Sequence, residues 1–315
     1  MPQRRPRIVL PDTSEANLAT LRANGDWARL EAAGEVQSHL GPAPDEAAFA
    51  ERVAAADAVL LGWDFPTSAF AMARNLRVIS FAGAGVGSYV DLDAAAAHGV
   101  VVRAVRGYGD VTVAEHALAL TLAVLRHLPA AHATMAEGGW TFAAQGRELS
   151  GATVGIVGWG GIARAFARLL TGFATTNLVW TRQPPVAAQD VRFVALEELA
   201  ARADILSLHL ASTPATRGIV SRELLQRLPT GAVLVNTARG DLVDETALLD
   251  ALRSGRLAGA GLDVFAHEPL PPDSPLRHAP NVVLTPHVAY RTPEARARLL
   301  RRTVDQLLSA LSLHF

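Results

Sequence analysis

Short apolar runs alternate with longer Ala- and Leu-rich stretches of helical period along the whole chain. The short runs read as buried strands, and the longer ones as helices that cover them. The early part predicts strands at Ile8–Leu10, Ala58–Leu61, Val78–Phe81 and Val100–Arg103, with helical stretches such as Glu46–Ala56 between them. A second series starts at Thr153, with strands at Thr153–Val157, Asn177–Trp180, Ile205–Leu208, Ala232–Asn236, Gly261–Val264 and Val282–Leu284. This rhythm predicts βα units and parallel sheets, an α/β fold class.

Val113–His127 reads as one long helix, apolar nearly all round and therefore expected to be buried. Glu115 and His116 inside it are expected to be hydrogen-bonded structural groups. Pro293–Leu311 reads as an Arg-rich amphipathic helix with a solvated charged face. The proline-rich stretch Glu268–Pro275 is a loop, because structure resumes at once after it, and no internal repeat is visible.

Composition narrows the chemistry. The 315 residues, 50% hydrophobic and 19% charged, have room for about two domains with sizeable cores. A formal net charge of −1 argues against a nucleic-acid partner. The chain has no cysteine, so disulfides, thiol nucleophiles, iron–sulfur clusters and cysteine-ligated zinc are excluded, and no metal is expected. All 29 basic residues are arginine, which removes Schiff-base, pyridoxal-phosphate and Walker-A lysines. The basic start, Met1 to Arg7, runs straight into Ile8–Leu10 without a signal-peptide core, and the pair Arg4–Arg5 is expected to be a solvated tip. No apolar run is long enough to span a membrane. A soluble cytoplasmic protein is expected.

The strand Thr153–Val157 runs into Gly158-Trp159-Gly160-Gly161-Ile162-Ala163 and then a helix, which is G-x-G-x-x-[GA] in strand–turn–helix context. Gly158 permits the tight turn, Gly160 lets the backbone approach a pyrophosphate, and Ala163 allows close helix–strand packing. The helix N-terminus offers free N–H groups and partial positive charge to phosphates. The next strand ends in Thr181-Arg182, where an NAD site usually carries a carboxylate for the ribose 2′-hydroxyl. A hydroxyl beside a guanidinium suits a 2′-phosphate, so NADP(H) is favoured over NAD(H).

Three further segments, Val235–Asp244, Gly261–Pro269 and Leu284–His287, lie at or just past predicted strand ends, where open α/β sheets place ligands. They bring an arginine, a carboxylate and a histidine together. Arginine suits a substrate carboxylate through bidentate hydrogen bonds. Histidine suits proton exchange near neutral pH, and a carboxylate on its other nitrogen would orient it.

Taken in order, Gly83-Ala84-Gly85-Val86, Val113-Ala114-Glu115-His116, the glycine loop, Leu208-His209, Asn236–Gly240, Gly261–Pro269 and Thr285-Pro286-His287 resemble the D-isomer-specific 2-hydroxyacid dehydrogenase family over nearly the whole chain. The resemblance implies two Rossmann-like doubly wound domains with the active site between them. One is a discontinuous, flavodoxin-like substrate domain, residues 1–103 plus 286–315. The other is an NAD(P)-binding Rossmann domain, residues 104–285, and the crossover helices act as the hinge. The family's catalytic arginine, glutamate and histidine fall on Arg239, Glu268 and His287. Expected cofactor contacts are Gly158, Gly160, Gly161, Ile162, Thr181, Arg182, His209, Ala238 and Asp263, the last beside the nicotinamide. Expected substrate contacts are Gly83, Ala84, Gly85, Arg239 and His287, with Tyr108 and Tyr290 near the pocket.

Some positions depart from the family pattern. Ala211 replaces a frequent proline, Gly87-Ser88 replace Asp-Asn, and Asp110 stands where Ser or Thr often contacts the cofactor, with Thr112 close by. The implied activity is interconversion of a small 2-oxo acid and its D-2-hydroxy acid, with glyoxylate- or hydroxypyruvate-like substrates first. D-3-phosphoglycerate or D-lactate dehydrogenase activity, or a dinucleotide-sensing corepressor-like role, are the alternatives. The absence of a long recruitment tail favours the enzyme, as the ordered Arg–Glu–His set does against another Rossmann enzyme such as a methyltransferase. A homodimer through the cofactor domain is expected.

Overall fold

A computed structural model describes residues 4–140, 145–186 and 188–313. Met1, Pro2 and Gln3 of the basic start lie outside the described residues. The chain forms two units, Met1–Gly109 with Arg291–Phe315, and Asp110–Tyr290. Both are α/β units built on parallel sheets.

The first unit contains β1 (Arg7–Thr13), α1 (Glu15–Ala23), α2 (Asp26–Ala33), β2 (Glu35–Leu40), α3 (Glu46–Val53), β3 (Ala58–Leu61), β4 (Val78–Phe81), α4 (Leu92–Ala97) and β5 (Val101–Ala104). Its five strands are parallel in the order β2-β1-β3-β4-β5, the flavodoxin-like arrangement. Successive side chains of a strand face opposite sides of the sheet. Ile8, Leu10, Ala58 and Leu60 therefore pack with Leu18, Leu21 and Leu30. Val9, Val59 and Leu61 pack with Phe49 and Val53 on the other face.

The second unit opens with α5 (Asp110–Leu125) and α6 (Leu128–Ala136), followed by β6 (Thr153–Val157), α7 (Gly161–Leu170), β7 (Thr176–Trp180), β8 (Arg192–Phe193) and α8 (Leu196–Arg202). It continues with β9 (Ile205–Leu208), α9 (Arg222–Arg227), β10 (Ala232–Asn236), α10 (Glu245–Arg253), β11 (Leu257–Leu262) and β12 (Val282–Leu284). The chain then returns to the first unit with α11 (Pro293–Leu311). Seven parallel strands run in the order β12-β11-β10-β9-β6-β7-β8. The order reverses between β6 and β9, and ligands of such sheets bind past the strand ends at that switch. Helices α5 and α7 cover one face through Ala117, Leu120, Val124 and Phe166. Helices α8, α9 and α10 cover the other through Leu199, Leu224 and Leu248.

The helix expected to reach His127 ends at Leu125, because His127 adopts left-handed backbone (φ 50°) and α6 leaves at 64° to α5. Glu115 is exposed and not buried, whereas His116 is half-buried and hydrogen-bonded to Thr285. Strand β11 begins at Leu257, earlier than its glycines indicate. A Cβ on Gly261 would lie 2.8 Å from Leu120 Cβ, so these glycines exist to let α5 lie directly on the sheet. Arg4 is no free tip, since its guanidinium grips the buried carboxylate of Asp57 at 2.6 and 2.9 Å. Three of the four α11 arginines also hold partners, although Arg301 and Arg302 stay exposed as expected. Arg301 pairs with the fully buried Asp26 at 2.6 Å, and Arg298 and Arg302 bind the carbonyls of Tyr108 and Arg106. Among the described residues, no single helix is long and apolar enough to cross a membrane.

Candidate active site

The C-terminal ends of β6, β7 and β9 meet around the glycine loop. Gly158 has φ 101°, a conformation that favours glycine, and its N–H donates to the Trp180 carbonyl at 2.8 Å. A Cβ there would lie 2.5 Å from the His209 carbonyl oxygen, so the turn is locked between β7 and β9. Gly160 is the N-cap of α7 and offers no side-chain cap, and the space a Cβ would enter is open. The first-turn N–H groups of α7, starting at Gly161 and Ile162, thus remain available to an anion. These features fit the pyrophosphate of a dinucleotide.

Thr181 and Arg182 follow β7 directly, and Arg182 is exposed. The Trp159 ring stands edge-on to Phe193 of β8 at 5.6 Å. The Asp110 carboxylate lies against Gly161, where a Cβ would fall 1.8 Å from Asp110 Oδ2. This explains the glycine: a side chain at 161 and the aspartate at 110 would occupy the same space.

His209 sits at the end of β9 with its ring enclosed. Nε2 meets Ser207 Oγ at 2.8 Å, the ring packs on Phe166, and Nδ1 has no partner. Burial pushes its pKa from the usual 6.5 down to about 3. Its side chain is therefore a neutral core group, and what it presents to the glycine loop is its backbone carbonyl.

The ends of β10, β11 and β12 carry the other candidates. The Asn236 side chain turns the chain after β10, donating to the Arg239 carbonyl at 2.9 Å and accepting from the buried Ala238 N–H at 3.0 Å. This presents Arg239 outward. Gly240 then packs so tightly on the next loop that a Cβ would lie 1.9 Å from the Phe265 carbonyl carbon.

After β11, Asp263 is fully buried, yet its carboxylate is satisfied. Oδ1 accepts from Thr285 Oγ1 at 2.6 Å and Val288 N–H at 2.9 Å, and Oδ2 accepts from Ala289 N–H at 2.9 Å. The Asp263 carbonyl accepts the His287 N–H at 2.8 Å. His287 itself has φ 52°, a strained conformation for a non-glycine residue, and these bonds hold it there. Its Nδ1 lies 2.7 Å from Glu268 Oε2, and Glu268 Oε1 accepts the Phe265 N–H at 3.0 Å. An ionised carboxylate only accepts, so Nδ1 carries the proton and Nε2 is the nitrogen left for chemistry. Both side chains are partly open to solvent, and Tyr290 stands edge-on to the imidazole at 6.0 Å.

In the first unit, Gly83 is buried at the end of β4, pressed on the Phe81 ring, while Ala84 and Gly85 are exposed. Sequence reasoning missed Asn236, Thr285 and the backbone N–H groups of Val288 and Ala289 as organisers of the second-unit site. The Thr-Pro-His string held the signal for Thr285, but nothing in the sequence announced which carboxylate its hydroxyl would meet.

The family described as D-isomer specific 2-hydroxyacid dehydrogenase, NAD binding domain, matches residues 118–289. D-3-phosphoglycerate dehydrogenase of Mycobacterium tuberculosis is 39% identical over 278 residues, which cover 86% of this chain and 52% of that protein. The chain thus spans about half the length of that relative. Glyoxylate reductase of Korarchaeum cryptofilum is 36% identical, with 84% of this chain and 83% of that protein covered. Among solved structures, the NADPH-dependent glyoxylate/hydroxypyruvate reductase of Sinorhizobium meliloti, in complex with NADP and malonate, is 31% identical. It has a TM-score of 0.81 over 98% of this chain and 94% of that one.

The enclosed His209 generates a stability prediction. Its folded-state pKa lies below its unfolded value, so the unfolded chain takes up the proton first. The resulting destabilisation is absent above about pH 6.5 and grows as pH falls towards 3, with a slope approaching about 1.4 kcal/mol per pH unit. His209→Gln should flatten the fall of melting temperature between pH 6.5 and 4. Identical slopes for both proteins would show that His209 does not resist protonation.

Proposed function

The chain belongs to the D-isomer-specific 2-hydroxyacid dehydrogenase family, and from that premise we propose that it reduces a small 2-oxo acid to the D-2-hydroxy acid, and catalyses the reverse. The observation that carries this reading is the His287–Glu268 pair, with His287 held at φ 52° on the loop that Asp263 braces. Gly158–Ile162 would hold a nicotinamide dinucleotide by its pyrophosphate, and that group would supply or accept the hydride. The Arg239 guanidinium takes the substrate carboxylate through paired hydrogen bonds and polarises the 2-oxo group. In reduction, as hydride reaches the carbonyl carbon, the proton on His287 Nε2 moves to the carbonyl oxygen and completes the alcohol. Glu268 keeps its hydrogen bond to Nδ1 throughout, which fixes the ring and leaves Nε2 facing the substrate. In oxidation, Nε2 takes the hydroxyl proton instead.

Glyoxylate- or hydroxypyruvate-like acids are the proposed substrates. Relatives of comparable length carry those names, whereas the phosphoglycerate dehydrogenase relatives are about twice as long. We assign NADP(H) as the preferred cofactor because Thr181 and the exposed Arg182 replace the carboxylate that would repel a 2′-phosphate. We also propose a homodimer through the second unit. No residue of α6 is buried, and Leu128 and Met135 of α6 and Trp140 just beyond it are exposed. An apolar surface of this kind calls for a partner.

Assay of a panel of 2-oxo acids with both cofactors tests the activity directly. In that assay His287→Ala should lower kcat by about 10²–10⁴-fold while cofactor affinity, read by calorimetry, stays within twofold. Near-normal turnover would remove His287 from the proton transfer. The unmodified protein should use NADPH at least about tenfold better than NADH in kcat/KM, and Arg182→Ala should erase that preference, since a hydrogen bond to a charged group contributes about 1.5–3 kcal/mol. Equal use of both cofactors would show that Arg182 does not meet the 2′-phosphate. Light scattering at micromolar concentration should give a dimer mass, with Leu128→Asp/Met135→Asp shifting it to monomer. A monomer from the unmodified chain would refute the assembly.

A further inference from the structure

His116 is a titratable side chain joined to the His287 loop that the proposed reaction leaves unused. We propose that it is a positioning residue for His287, acting through the Thr285 hydroxyl and the Asp263 carboxylate. The inference rests on the reading of His287 as the proton-exchanging group.

Hydrogen-bond direction carries the argument. His116 Nε2 lies 2.9 Å from Thr285 Oγ1, and that oxygen lies 2.6 Å from Asp263 Oδ1. A hydroxyl has one proton, and an ionised carboxylate has none to give. The Thr285 proton therefore goes to Asp263, and His116 must donate from Nε2 into the lone pair that Thr285 keeps. This fixes the His116 tautomer, with the proton on Nε2. The same nitrogen is 3.6 Å from Asp263 Oδ1, so the polarised N–H also faces the buried carboxylate.

The chain of contacts ends on the backbone that presents His287. Asp263 receives the N–H groups of Val288 and Ala289 on its carboxylate, and that of His287 on its carbonyl. His287 is held at φ 52°, a conformation the loop would leave if its anchors loosened. His116 approaches this loop from α5, a helix seated directly on β11 at Gly259 and Gly261. It therefore ties the loop to a rigid helix, 169 residues away in sequence. A histidine serving only to satisfy a core polar group would affect stability and leave the His287 imidazole in place.

Proton NMR and kinetics on the full-length protein separate the two. The low-field Nδ1–H signal of His287, assigned by its loss in His287→Gln, reports the bond to Glu268 without requiring turnover. His116→Phe keeps the ring volume and removes the donor. It should broaden or abolish that signal and lower kcat about tenfold, with cofactor affinity unchanged, because misplacing a catalytic group by a fraction of an ångström is enough for such a loss. His116→Gln, whose amide nitrogen reaches about as far as Nε2, should retain both the signal and most of kcat. If His116→Phe does not fold, Thr285→Val against Thr285→Ser tests the same link from its other end. An unchanged His287 signal in His116→Phe, or in Thr285→Val, overturns the proposal. Loss of the signal with full turnover would uphold the positioning and overturn the catalytic reading of His287.

Discussion

A single buried carboxylate organises the candidate site. Asp263 has no exposed surface, and an ionised group in that position is tolerated only when hydrogen bonds replace its water. Those bonds come from one short loop: the Thr285 hydroxyl and the N–H groups of Val288 and Ala289. The requirement works in both directions. The carboxylate needs the loop to be satisfied, and the loop needs the carboxylate to hold His287 in left-handed backbone. The imidazole thereby meets Glu268 at 2.7 Å with Nε2 left over. Loops usually carry function on a rigid scaffold, and here the scaffold is β11 with α5 lying directly on it.

The cofactor end follows a different logic, in which side chains are removed. Gly158 leaves room for the carbonyl of His209, Gly160 leaves open space, and Gly161 yields to the carboxylate of Asp110. The result is a helix N-terminus whose donors are free to meet phosphates. Asp110 and Gly161 form a matched pair, because restoring a side chain at 161 would require the aspartate to move. Thr181 and the exposed Arg182 follow β7 directly, where an NAD site usually carries a carboxylate.

Much of this was legible in the sequence, and the exceptions have physical reasons. Strands buried on both faces, such as Thr153–Val157 and Ala232–Asn236, announce themselves as continuous apolar runs. Strand β2, Glu35–Leu40, does not, because it is a sheet edge whose alternating polar residues face water. The start of β11 was hidden by glycines that read as a break and instead serve helix packing. In the site, residue types pointed to a carboxylate and a histidine, and the resemblance of Gly261–Pro269 and Thr285-Pro286-His287 to the family's motifs put these roles on Glu268 and His287. The brace around Asp263 could not be named in this way, since most of its donors are backbone N–H groups, which every sequence has and none advertises. The same holds for Asn236, whose two bonds to its own loop set the direction of Arg239.

The proposed reaction requires His287 to exchange a proton with the substrate, backed by Glu268. Initial rates of reduction and of oxidation, measured across pH with saturating cofactor, test this most directly. Reduction should fall and oxidation should rise as pH increases, because one imidazole must hold the proton for the first and lack it for the second. Two flat profiles, or two that move in the same direction, would contradict it.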